Sequence, residues 1–161
     1  MTEPAAPTTA RPARADLPFR LLALIWVITG GLTAAVTGPL DLEHGSWSAA
    51  FQVLVGGVLL GVLGIAQHGL AARAPGRAVL LAELLTWNLG GLAVIGGTVL
   101  GAPLLVDAGG ALLVVTMVLM LRAVGRRAGG PTWLLWVFRA ALVLTALSIP
   151  VGLVLAHLRA A

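Results

Sequence analysis

Most charged residues fall in a few short segments of this chain, and five largely apolar stretches run between them, at about 18–37, 47–72, 78–100, 104–121 and 132–158. A helix rises about 1.5 Å per residue, so about 20 residues cross a hydrocarbon core. Each stretch reaches that length, the fourth only just. Proline marks the same boundaries independently. Pro18, Pro39, Pro75, Pro103 and Pro131 fall at the predicted helix ends, where a missing backbone N–H costs least. Pro150 falls inside the fifth stretch, where it is expected to kink the helix and free a carbonyl near Ala146. Short connections predict an all-α, up-down bundle of five transmembrane helices with sequential neighbours antiparallel.

The arginines give this bundle a direction. The chain has ten arginines and no lysine. Arg11, Arg14 and Arg20 precede or open the first stretch, Arg73 and Arg77 follow the second, and Arg122, Arg126 and Arg127 follow the fourth. Arg139 lies just inside the fifth stretch on the same side, and only Arg159 falls at the opposite end. Cationic loops stay cytoplasmic during insertion, so the expected topology has a cytoplasmic N-terminus and an exterior C-terminus in a bacterial plasma membrane. Residues 1–17, rich in Pro, Ala and Thr, read as a disordered cytoplasmic tail preceding a transmembrane domain at 18–161. A cleaved signal peptide competes for this region, but the apolar run from Phe19 to Val36 exceeds a usual signal core. An uncleaved first helix is the reading.

Composition agrees with a bilayer as solvent. Hydrophobic residues make up 59% of the chain, charged residues 10%, and the mean hydropathy is +1.02. An isoelectric point near 11.6 would point to nucleic acid in a soluble protein. Here the charge is divided among short loops, with no basic face, so the expected contact is lipid headgroups and not nucleic acid. Cysteine is absent, which excludes disulfides, thiolate catalysis and cysteine-bound metal.

Trp47 is expected at the outer interface, Trp133 and Trp136 at the inner one, and Trp26 and Trp87 between helices near mid-membrane. Small residues at four-residue spacing mark packing faces: Gly30 with Ala34, Gly57 with Gly61, and Ala93, Gly97 and Gly101. These faces serve either packing within the chain or an interface with a second copy or a membrane partner subunit.

Ionisable groups inside a membrane are costly, and each needs a role. Counting about 1.5 Å per residue from the cytoplasmic helix ends places His68 about 6 Å, Glu83 about 8 Å and Arg139 about 10 Å deep. The three therefore share a layer, and a Glu83–Arg139 pair touching His68 is the expected arrangement. It is either a structural inter-helix pair with a snorkelling arginine, or a proton or anion site open to the cytoplasm. Gln67 neighbours His68, and Trp87, one turn beyond Glu83, can wall the cluster. Asn88 points about 140° away from Glu83 and is expected to bond a neighbouring backbone.

On the outer side, His44, Asp107 and His157 are weak metal candidates whose spacing matches no ligand signature. Haem b needs two histidines at one depth. His68 and His157 lie near opposite surfaces, which leaves His44 with His157. No phosphate loop, Gly-x-Ser-x-Gly elbow or His-Glu-x-x-His motif occurs, so no catalytic residues are expected and the chain is read as not an enzyme.

From Gln52 through Gln67-His68-Gly69, then Trp87-Asn88-Leu89-Gly90-Gly91, Arg122 with Arg126-Arg127, Phe138-Arg139 and Pro150-Val151-Gly152, the order of features resembles the membrane-spanning N-terminal region of bacterial copper-containing nitrite reductases and related multicopper oxidases. The resemblance covers about two-thirds of the chain. It implies a membrane module of a respiratory or copper-redox system with a separate redox partner, and helix histidines suited to haem or copper. Here the position resembling an outer histidine of the second helix is Gln52, and the fourth helix has no histidine. The expected cofactor is therefore none, with haem b or copper as the alternative.

The leading expectation is a non-catalytic subunit or membrane module. A small proton-coupled carrier or channel using Glu83, Arg139 and His68 is second, and a haem b electron carrier third.

Overall fold

The structure, a computed structural model, describes residues 16–125 and 129–160. Arg11, Arg14, Arg126, Arg127 and the side chain of Arg159 lie outside the described residues, as does the tail expected at 1–17 except for its last two positions. Among the described residues all regular structure is helical. The helices are α1 (Leu17–Thr37), α2 (Gly45–Leu70), α3 (Arg77–Val99), α4 (Pro103–Val124) and α5 (Thr132–Ala160). All five are long and apolar enough to cross a membrane. The five expected stretches are therefore present, with α2 starting two residues earlier and α4 running three residues further. Helix α5 continues through Pro150 without a break.

Antiparallel neighbours follow from the packing pairs. On α1 and α2, Phe19 meets Gly64, Ala23 meets Gly57 and Gly61, Trp26 meets Gly56, and Gly30 meets Val53. On α3 and α4, Thr86 bonds Thr116, Gly90 meets Gly109, and Gly97 meets Val106. With Gly69 against Leu134 of α5 and Gln67 bonded to Glu83 of α3, these pairs bring the described arginines Arg20, Arg73, Arg77, Arg122 and Arg139 to one end of the bundle, the arginine end.

Glycine makes both helix pairs close. A β-carbon at Gly109 would stand 2.7 Å from the Gly90 carbonyl oxygen, and one at Gly90 would stand 2.9 Å from that of Gly109. The two backbones touch directly, which lipid-embedded helices use because lipid supplies no hydrophobic drive for association. Gly57 and Gly61 face Ala23 and Val27, and Gly97 faces Val106 and Ala102, so these expected packing residues work inside the chain. Of the two expected uses, packing within the chain is the one seen at these three glycines.

Gly101, expected as a packing residue, is a correction. A β-carbon placed there would have no neighbour within 4 Å, and the residue lies beyond the end of α3 at φ +61°. The N–H of Ala102 donates to Gly97 O at 2.8 Å, and that of Gly101 to Thr98 O at 3.3 Å. This is a Schellman ending, which needs a left-handed residue and so favours glycine. Spacing alone makes this helix stop resemble a packing ridge.

Within α2, residues Gln52–Leu59 adopt the wider π-helical winding. Bonding from i to i+5 enlarges each turn and re-phases the helix, so that Gly56 and Gly57 both meet α1 although they are consecutive. At the far end of this segment Gln52 Nε2 donates to Thr33 Oγ1 at 3.0 Å and Ser48 Oγ at 3.1 Å. The most deeply buried large side chains, including Leu63, Leu70, Trp87, Met120 and Phe138, gather in the half nearer the arginine end.

Candidate functional site: a buried carboxyl at one end and a cavity at the other

Glu83 is fully buried on α3, and its partner is Gln67 of α2. The Gln67 amide Nε2 donates to both carboxyl oxygens, at 2.9 and 3.1 Å. Trp87, one turn along α3, is 1% exposed and closes the same region. Two polar atoms here lack a hydrogen-bond partner: Gln67 Oε1 and Trp87 Nε1.

Arg139 does not join this cluster, which corrects the expected pair. Helix α5 packs on α4 and on the arginine-end half of α2, with no broad face against α3. Arg139 instead borders, with Arg122, a largely apolar groove between α4 and α5. His68 follows Gln67 by one position and so points about 100° away around α2. It is half-buried and takes part in no side-chain hydrogen bond or ion pair among the described residues. Shared depth does not bring the three together, because Gln67 holds the position facing Glu83.

Asn88 bonds the neighbouring backbone, Nδ2 to Leu84 O at 2.6 Å, and also accepts from Trp26 Nε1 at 2.7 Å. The second bond ties α1 to α3 across α2. Thr86 and Thr116 share a 2.6 Å hydroxyl contact between α3 and α4. Polar groups near mid-span are thus mostly spent on holding helices together.

The end opposite the arginines is open. A cavity of about 830 Å³ lies between α2, the end of α3, the start of α4 and the Thr145–Leu153 stretch of α5. Phe51, Val94, Val106 and Ile149 form apolar walls, and Glu43 and His44 stand at the loop side. Three hydroxyls also line it. Thr98 Oγ1 donates to Val94 O at 2.8 Å, Thr145 Oγ1 to Ala141 O at 2.7 Å, and Ser148 Oγ to Thr145 O at 2.8 Å. Their protons are engaged with their own helices, so their side chains offer the cavity acceptor oxygens.

Beside the cavity, Asp107 and His157 approach to 3.5 Å and link α4 to α5, while His157 Nδ1 lies 3.0 Å from Leu153 O. Both ring nitrogens face acceptors, a setting that suits a structural link. His44 is at the cavity loop, and the described residues contain no group of three His, Asp or Glu side chains placed to share a metal. His68 lies at the arginine end and His157 at the other, too far apart along the bundle for one haem. No pattern in the sequence marks the cavity, because its walls come from four helices and its volume from the placement of α5. Comparisons with known protein families, with curated proteins and with solved structures find no match to this chain.

Proposed function

We propose that this chain is a non-catalytic multi-pass module of a bacterial plasma membrane that holds a small amphiphile in the cavity opposite its arginines. The supporting observation is the cavity itself, whose volume falls within the range of about 300–1,000 Å³ usual for small-molecule sites. Apolar walls suit a hydrocarbon tail. The acceptor hydroxyls and Glu43 suit a head that donates hydrogen bonds. The arginine bias supports an orientation with the arginine end cytoplasmic, so the cavity opens from the outer leaflet.

Gly152 gives a direct test, since it lines the cavity and has open space around its β-carbon position. Native mass spectrometry with added hexadecanol should show one retained molecule per chain. Gly152→Phe should lose that adduct while melting at the wild-type temperature. Retention of hexadecanol by the filled variant, or its absence from the wild type, would contradict the reading.

A second reading is a small proton-coupled carrier, favoured by the two unpartnered polar atoms beside the buried Glu83 carboxyl. In proteoliposomes, Glu83→Gln should then abolish proton flux without unfolding the chain. Unchanged flux would remove this reading.

A further inference from the structure

The cavity opposite the arginines has a charge sign as well as a volume. Glu43 stands at its loop side, exposed on the connection that leads into α2. It takes part in no ion pair or side-chain hydrogen bond among the described residues. Nor does it cap α2, whose first turn receives no side-chain cap bond. The fold leaves this carboxylate free to turn toward whatever enters the mouth. Among the described residues no arginine lines the cavity, and its titratable side chains are Glu43 and His44. Asp41 is exposed on the same loop, and Asp107 nearby is engaged by His157. Arg159 is the one arginine that the sequence puts at this end, with its side chain outside the described residues. An excess of carboxylates over cations among the described side chains here draws positive charge toward the mouth.

Aromatic rings continue from the carboxylate into the cavity. Glu43, Trp47, Phe51 and Val55 recur at four-residue spacing, and all four line it. Four residues make about one helical turn. The lining therefore passes from a carboxylate through two rings to an aliphatic wall along the start of α2. The Trp47 and Phe51 rings lie 5.5 Å apart, tilted by 30°. Ring faces attract cations, tryptophan most strongly, and proteins use such surfaces to recognise alkylated ammonium groups. Thr98, in the last turn of α3, adds an acceptor oxygen. A hydroxyl head could bond Glu43 but would leave its charge unpaired, whereas an ammonium does both and keeps N–H donors for Thr98.

Resting on the amphiphile reading of this cavity, we propose that its ligand is cationic: a long-chain primary amine with its ammonium at the mouth, among Glu43, Trp47 and Phe51, and its chain running inward past Val55. The charged head then stays at the level of the loop, where it keeps part of its hydration. Only the hydrocarbon enters the apolar span, so the high cost of a cation deep in the membrane does not arise.

Native mass spectrometry of the full chain at neutral pH, with hexadecylamine, hexadecanol or hexadecanoate, holds the tail constant and changes only the head. Hexadecylamine should be retained most and hexadecanoate least. Glu43→Gln should reduce hexadecylamine retention by about fivefold, the upper range for an ion pair near a surface, and leave hexadecanol retention unchanged. Trp47→Leu keeps an apolar wall but removes the ring face, and should lower the amine-to-alcohol ratio by about threefold. Asp41→Asn removes a carboxylate of the same loop that does not line the cavity, and should leave the ratio unchanged. Glu43 and Trp47 are exposed, so both variants should melt as wild type does. Equal retention of amine and alcohol by the wild type, or an unchanged ratio in Glu43→Gln, would overturn the cationic head and leave the amphiphile cavity standing. An equal loss in Asp41→Asn would also overturn it, by tracing the preference to the overall charge of the loop. Preference for hexadecanoate would overturn it in favour of an anionic head facing His44. Retention of none of the three would remove the cavity reading itself.

Discussion

At the arginine end α5 is firmly seated, with Phe138 1% and Leu142 6% exposed, whereas at the opposite end the same helix walls a cavity of about 830 Å³. Along its apolar span only 11% of α5 is buried, against 39% for α4. The difference lies in what meets each half. Near the arginines, Phe138 and Leu142 belong to one buried cluster with large side chains from α2, α3 and α4. Toward the other end, small residues recur where α5 passes: Gly110 on α4 and Gly152 on α5 itself. Between α3 and α4, glycine allows backbones to touch because the facing residue is also glycine. At Gly152 nothing fills the missing side chain, and space is left. The same residue type therefore closes one part of the bundle and opens another.

Substitutions should show that contrast as a gradient of stability, measured by thermal melting in detergent. Gly109→Leu should be the most damaging, since its side chain would meet the Gly90 carbonyl and the Val94 backbone. Overpacking of this kind costs about 3 kcal/mol, and a melt unchanged from wild type would mean that α3 and α4 are not in backbone contact. Phe138→Ala should also cost about 3 kcal/mol by leaving a cavity in the filled end. Glu83→Leu leaves the Gln67 amide buried without its acceptor, for a loss of about 1–3 kcal/mol. Glu83→Gln restores an acceptor and should recover most of it, so equal losses in the two variants would remove the Gln67 pairing from the account. Thr145→Val is the smallest expected effect, within about 0.5 kcal/mol, because its hydroxyl bonds only its own helix. A large effect there would show that the cavity side of α5 is tightly packed after all.

The sequence makes some of this visible and leaves the rest hidden for physical reasons. Span length and number follow from local hydropathy, and all five helices are where the apolar stretches place them. Depth along a helix is also local, so counting residues from the helix ends suffices to put Glu83, His68 and Arg139 toward one end. Rotation about each axis and choice of neighbour are not local. They decide that Gln67, and not the adjacent His68, faces Glu83, and that Arg139 shares a groove with Arg122. Gly97 and Gly101 have the spacing of a packing ridge, yet the helix ends between them. The π-helical winding at Gln52–Leu59 shifts the phase of α2 partway along, so fixed angular steps cannot predict which glycines meet α1. The cavity has no sequence signal of its own.

The absence of cysteine makes the contrast between the two halves of α5 directly measurable. Gly152→Cys and Leu142→Cys each introduce a single thiol, one lining the cavity and one in the buried cluster. With a small water-soluble methanethiosulfonate, Gly152→Cys should be modified, and added hexadecanol should protect it. Leu142→Cys should resist modification with or without hexadecanol. An unreactive Gly152→Cys, or one that hexadecanol leaves unprotected, would contradict a ligand cavity at this end of the bundle.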